Sequence, residues 1–181
     1  MTSSFPPERR LACYTAFMTD REFFIQTVAD EIPRFERLFA ALPEEKRDWK
    51  PHERSRSAFH VMTGCASEAA TFRTILRTGV LSEKDFAHPS VGTIAEAGKF
   101  CIKELEDAKS EAAKTSEVIW NSPAKMMMGE KVMWETTRGG MTWSLLLDLI
   151  HHRGQLSVYI RPMGGKVPSI YGPSGDSGPE A

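Results

Sequence analysis

Four segments of the chain place apolar residues at the spacing of an amphipathic helix, and this pattern limits the possible folds more than any other feature. The first segment begins at a capping box, Thr19-Asp-Arg-Glu22, and ends at Pro43. Because proline lacks an amide N–H, Pro33 predicts a kink or break near Glu31. No segment forms a convincing sheet, so the pattern predicts an all-α domain.

Capping residues and helix-ending residues also set the limits of the other three helices. The predicted limits are Ser55 or Ser57 to Gly79, Thr93 to Asn121–Pro123, and Thr142 to about Arg161. Residues 124–140 are predicted to form a structured loop, with a short extended segment as an open alternative. Residues 1–14 are predicted to be an N-terminal arm, 15–174 the helical domain and 175–181 a disordered tail.

Charge and cysteine content narrow the functional classes. The 181 residues carry a formal net charge of −1, so neither a nucleic acid nor an anionic membrane is an expected partner. No apolar run is long enough to predict a membrane span. An odd number of cysteines without a secretion signal favours a reducing compartment, and we expect a cytoplasmic protein. Cys65 and Cys101 fall on apolar helix faces and are predicted core residues, whereas Cys13 precedes the first helix.

The last helix carries a polar stripe within an otherwise apolar circumference. Ser144, Asp148, His152, Gln155 and Tyr159 fall within a narrow sector of the helical wheel. A helix this apolar is normally buried, so its polar groups must be hydrogen-bonded, bound to a ligand or open to a cleft. The i, i+4 spacing of two stripe residues allows them to share one metal ion. Equally, the aspartate could accept a hydrogen bond from the histidine or from an arginine within the core.

Two motifs near the end of the chain together resemble the DinB-like (DinB/YfiT) superfamily. They are Leu-Ile-His-His-Arg-Gly-Gln, ending at Gln155, and Lys-Val-Pro-Ser-Ile-Tyr-Gly-Pro-Ser, ending at Ser174. The resemblance extends over roughly residues 17–176. It implies an antiparallel four-helix bundle with a long crossover connection, often dimeric, and a divalent metal, commonly zinc or nickel, held by three histidines.

The three-histidine pattern is only partly present in this sequence. His152 matches the last histidine, and Asp148 stands where the preceding one is expected. The histidine of the second helix falls on Gly64, or on Thr63 if the register shifts by one. His60 and Glu68 lie one turn before and after Gly64, and each is a candidate replacement ligand. His52 and His88 are predicted to be surface residues of loops.

These observations leave two functional hypotheses. The incomplete ligand set favours a non-catalytic or divergent dimeric bundle of uncharacterised activity. The alternative is a divalent-metal-dependent enzyme resembling thiol transferases or hydrolases, with Asp148 and His152 as ligands and Gln155 and Tyr159 lining a pocket for an unidentified small molecule. A homodimer is expected in both cases, because the last helix and the segment Met126–Trp134 carry more apolar surface than one core needs.

Overall fold

The computed structural model describes residues 18–177, so Cys13 and the predicted N-terminal arm lie outside the described residues. Four long helices pack around one core: α1 (Asp20–Ala40), α2 (Ala58–Thr78), α3 (Ile94–Lys114) and α5 (Arg138–Ile160). Helix α1 packs mainly against α3 and α5, and so does α2. The consecutive helices α1 and α2 therefore occupy opposite corners of the helical array. No helix among the described residues is long and apolar enough to cross a membrane.

Local sequence explains most of the helix limits. The hydroxyl of Thr19 accepts a hydrogen bond from the amide of Glu22, whose carboxylate accepts one from the amide of Thr19. The Thr93 capping box is also present, and Ser57 caps α2. Helix α2 ends at Gly79, whose φ of 73° lies in the left-handed region that glycine enters without steric cost.

The structure corrects three predictions about where helices break, end or begin. Helix α1 continues through Pro33 without a break, and residues on both sides of the proline are buried in the core. Helix α3 ends at Lys114, and the apolar residues after it belong to a short helix, α4 (Glu117–Trp120).

Helix α5 is capped by Thr137 and not by Thr142, whose hydroxyl instead donates to the carbonyl of Arg138. The pair Gly139-Gly140, predicted to lie in a loop, is helical. At Gly139 any side chain would overlap the indole of Trp120, so this glycine allows close packing of α4 on α5.

The purely helical prediction is also corrected, because the chain forms a three-stranded sheet. Strand β1 (Val80–Ser82) pairs in parallel with β2 (Pro123–Met128), which pairs antiparallel with β3 (Lys131–Thr137). The predicted structured loop is thus a hairpin that turns at Gly129, with φ of 56°. Most of β3 is solvent-exposed, so it lacks the alternation of buried and exposed residues that marks a strand in sequence.

The C-terminal segment folds back onto the helices. The carboxylate of Asp176, within the predicted disordered tail, accepts hydrogen bonds from the Arg161 side chain at 2.8 Å and the Val167 amide at 2.9 Å. Residues 178–181 lie outside the described part of the chain.

Candidate metal centre

A chain of polar contacts follows the predicted polar stripe of α5. His152 Nε2 lies 3.6 Å from Asp148 Oδ2, and His152 Nδ1 lies 3.1 Å from Gln155 Oε1. The Gln155 amide donates to the hydroxyl of Tyr159, which donates to the carbonyl of Arg56. Because an amide oxygen only accepts, Nδ1 of His152 carries the proton and Nε2 is available to a ligand on the Asp148 side.

Helix α2 adds a third donor. One donor atom each from Glu68, Asp148 and His152 lies within 4.8 Å of the others. Glu68 is buried, at 6% exposure, whereas the side chain of Asp148 is 56% exposed. The three donors therefore form a cluster that is closed on the α2 side and open to solvent at Asp148.

The electrostatics of Glu68 support a cation at this position. Burial and the negative charge of Asp148 raise the pKa of Glu68 to about 9. Among the described residues, no lysine or arginine forms a salt bridge with Glu68. Two carboxylates and an imidazole are ligands that zinc and harder divalent ions accept, so the donor set fits a divalent cation.

Of the two candidate replacements, Glu68 enters this cluster and His60 does not. The imidazole of His60 instead packs against that of His88, with ring centroids 4.8 Å apart. Burial, His60 and Arg56 lower the pKa of His88. His88 is exposed, as predicted for a loop residue, but its position beside α2 depends on the path of the loop and has no signature in the sequence.

The sequence profile of the DinB family matches residues 18–178. The chain belongs to the DinB family. Of the predicted ligand positions, Asp148 and His152 of α5 converge with Glu68 of α2, whereas Gly64 has no donor atom.

A solved structure shows the same DinB-like fold. The crystal structure of a DinB-like protein, YjoA from Bacillus subtilis, superposes with a TM-score of 0.63 at 15% identity. The superposition covers 86% of this chain and 98% of that protein. At this identity the match supports the fold alone. Comparison with curated proteins finds no match.

The arginine of the DinB motif has a structural role. Arg153 is buried at 2% exposure and forms an ion pair with the buried Glu31 of α1. Tyr171, in the second motif, accepts a hydrogen bond from Arg153 at 2.5 Å and donates one to Glu31 at 3.0 Å. The guanidinium also lies over the ring of Phe35, 4.7 Å from its centroid. The two motifs thus meet in one network, in which Glu31 and Arg153 are buried and Tyr171 is exposed.

The cysteines are not part of the donor cluster. Cys65 and Cys101 are buried and free, which confirms the prediction that they are core residues. Burial raises the pKa of both thiols, so neither is an activated thiolate.

A separate cavity of about 550 Å³ lies between α1 and α3, with walls that include Phe39, Ile94 and Ile102. None of the three donor residues lines it. The candidate metal centre, between α2 and α5, is therefore separate from this cavity.

Proposed function

We propose that this DinB-family protein binds one divalent cation between α2 and α5, through Glu68, Asp148 and the Nε2 atom of His152. The convergence of these three donors within 4.8 Å carries the proposal. The Gln155–Tyr159–Arg56 hydrogen bonds support it, because metal-binding histidines commonly use their second nitrogen to fix the ring on an oxygen acceptor.

Three protein ligands and an open side are the arrangement of catalytic rather than structural metal sites. A cation bound here would supply a Lewis acid that lowers the pKa of a bound water or thiol. The carboxylate of Asp148 is exposed on that open side, within reach of a small molecule. These features favour a metal-dependent transferase or hydrolase over a bundle without metal. Gln155, supported by Tyr159, is proposed to hold the imidazole of His152 in the orientation that binds the cation.

Loss of any one ligand should abolish tight binding of the cation. We expect purified protein to bind about one Zn²⁺ or Ni²⁺ per chain, and Glu68→Gln, Asp148→Asn and His152→Ala each to raise Kd by more than about tenfold. The measurements are elemental analysis and calorimetric titration of the metal-free protein. His151→Ala, which removes the exposed neighbouring histidine, is the matched control and should bind as the wild type does. Absence of binding in the wild type would contradict the proposal.

We also propose that the exposed face of α5 is the homodimer interface. Leu147 and Val158 are 60% and 68% exposed and stand on the same helix face, with His151 and Gly154 between them. Exposed apolar surface of this kind usually contacts a partner, and a second copy would match it face to face.

The double substitution Leu147→Glu, Val158→Glu should therefore convert a dimer into a monomer, because paired carboxylates would face each other across the interface. Light scattering after size-exclusion chromatography measures the mass. Val118→Glu introduces a charge at an apolar residue that is 82% exposed on α4, and it should leave the mass unchanged. A wild-type mass of one chain would rule out the dimer.

A further inference from the structure

A pocket on the sheet concentrates methionine side chains that neither the metal centre nor the proposed dimer interface uses. Four of the nine methionines of the chain line it, and its volume is about 320 Å³. Its other two residues belong to a short 3₁₀ helix, Glu83–Phe86, that follows β1. The full lining of this methionine pocket is Glu83, Phe86, Met126, Met127, Met128 and Met133.

A bulge in the hairpin accounts for consecutive methionines in the same pocket. In a regular strand neighbouring side chains point to opposite faces, so Met126 and Met127 would face apart. Here Met126 lies opposite Trp134. Met127 lies opposite Val132, so Met133 has no partner residue in β2. A β-bulge of this kind breaks the alternation of faces and redirects side chains, which allows these methionines to line one pocket.

The pocket offers soft donors, one negative charge and one aromatic ring. Thioether sulfur is a soft ligand that selects Cu⁺ over harder ions. Met128 and Met133 are 60% and 50% exposed, so a dissolved ion can reach them. Glu83 is the one charged residue of the lining, and its carboxylate accepts a hydrogen bond from the Gly129 amide at the hairpin turn, at 3.3 Å. The ring of Phe86 also attracts a cation. These groups favour a soft monovalent cation.

We propose that the methionine pocket binds one Cu⁺ ion through thioether sulfur atoms of its four methionines, with the carboxylate of Glu83 offsetting the charge of the ion. The methionine side chain is flexible, with three rotatable bonds, so sulfur atoms around one small pocket can converge on a single ion. Zn²⁺ and harder divalent ions prefer imidazole and carboxylate donors, which the pair Glu68 and His152 supplies elsewhere in the chain. An apolar partner on the same surface would instead depend on the shape of the methionines and not on their sulfur.

Replacement of methionine by leucine tests the role of sulfur, because leucine keeps most of the apolar volume and has no thioether. The triple variant Met126→Leu, Met127→Leu, Met128→Leu should raise the Kd for Cu⁺ by about a hundredfold, measured by competition with a chromophoric Cu⁺ chelator under reducing conditions. Met18→Leu, at a methionine that is 57% exposed and outside the pocket, is the matched control and should leave Kd unchanged.

The ligands can be identified with Ag⁺, which shares the charge and the thioether preference of Cu⁺ and is stable in air. About one equivalent of Ag⁺ should shift the ¹³C-methyl resonances of the four pocket methionines and not that of Met18. The titration uses the Cys13→Ser protein, because a thiolate binds Ag⁺ more tightly than a thioether does. The other two cysteines are buried.

The outcomes are independent of the proposed divalent site. His152→Ala should bind Cu⁺ as the wild type does, and the triple leucine variant should bind Zn²⁺ as the wild type does. An unchanged Kd for Cu⁺ in the triple leucine variant would overturn the proposal, and so would Ag⁺ shifts that are as large at Met18 as in the pocket. Thermal unfolding of the metal-free variants tests for loss of fold. A triple variant that is folded and weakened in Cu⁺ binding alone supports the thioether site.

Discussion

Glu31→Ala is expected to lower the free energy of unfolding by about 3–5 kcal/mol, since it leaves the guanidinium of Arg153 buried without a counter-charge. Both side chains are nearly inaccessible to solvent, at 5% for Glu31 and 3% for Arg153, so water cannot replace the lost carboxylate. Tyr171 would lose its acceptor at the same time. Chemical denaturation monitored by circular dichroism measures the change, together with a fall in Tm of roughly 10 °C.

Glu36→Ala provides the matched control, because Glu36 lies on the same helix but is exposed. Its effect should stay within about 0.5 kcal/mol, as for most surface substitutions. Removing both charges, in Glu31→Met with Arg153→Met, should recover most of the stability lost in Glu31→Ala, since an apolar pair carries no desolvation penalty. Equal losses for Glu31→Ala and Glu36→Ala would contradict the assignment of a buried network.

The second large effect concerns pH and the carboxyl group of Glu68. Its pKa of about 9 in the folded protein lies far above the usual 4.5, so the folded state retains a proton that the unfolded chain releases. The stabilisation from this proton is complete below about pH 4.5 and is lost as the pH rises toward 9. Carboxyl groups with a lowered pKa, such as Glu111 beside Arg77, behave in the opposite way. Their contribution to the free energy of unfolding is lost only at acidic pH, so it does not change between pH 5 and 9.

Metal-free Glu68→Gln should therefore be more stable than the wild type at alkaline pH, by on the order of 2 kcal/mol or more at pH 8. The difference between the two proteins should shrink toward zero near pH 4.5. Denaturation curves between pH 5 and 9 provide the measurement, and a difference that is independent of pH would contradict the raised pKa of Glu68.

Addition of Zn²⁺ should reverse the order at alkaline pH. A bound cation replaces the proton on Glu68, so it stabilises the wild type and raises its Tm, whereas Glu68→Gln should respond weakly. The affinity of the wild type for the cation should rise with pH up to about 9, because proton and metal compete for the same carboxylate. Asp148→Asn tests whether the negative charge of Asp148 contributes to the raised pKa of Glu68, since removal of that charge should lower this pKa toward the usual range.

Much of the helical framework could be predicted from the sequence. The capping boxes at Thr19 and Thr93 and the helix end at Gly79 depend on contacts within one turn, which sequence spacing reveals directly. Predictions failed where a distant contact overrides a local preference. Gly139 lies within α5 and packs against the indole of Trp120, and β2 is a strand because β1 and β3 pair with it.

The candidate metal centre could likewise be predicted only where its residues lie on one helix. The i, i+4 pair of Asp148 and His152 lies on a single helix, so the sequence alone placed both side chains together, and the DinB motif marked their position. Glu68 was one of two open choices, since a helix places residues on both sides of Gly64 with equal ease. Only the packing of α2 against α5 selects it.

What the sequence by itself determined is the set of short-range arrangements: the caps, the apolar faces and the polar stripe of α5. The tertiary structure decided the rest, namely the third donor Glu68 and the burial of Arg153 against Glu31. The physical reason is distance along the chain. Hydrogen bonds within a helical turn are fixed by spacing, whereas contacts between residues eighty or more positions apart depend on how whole helices pack.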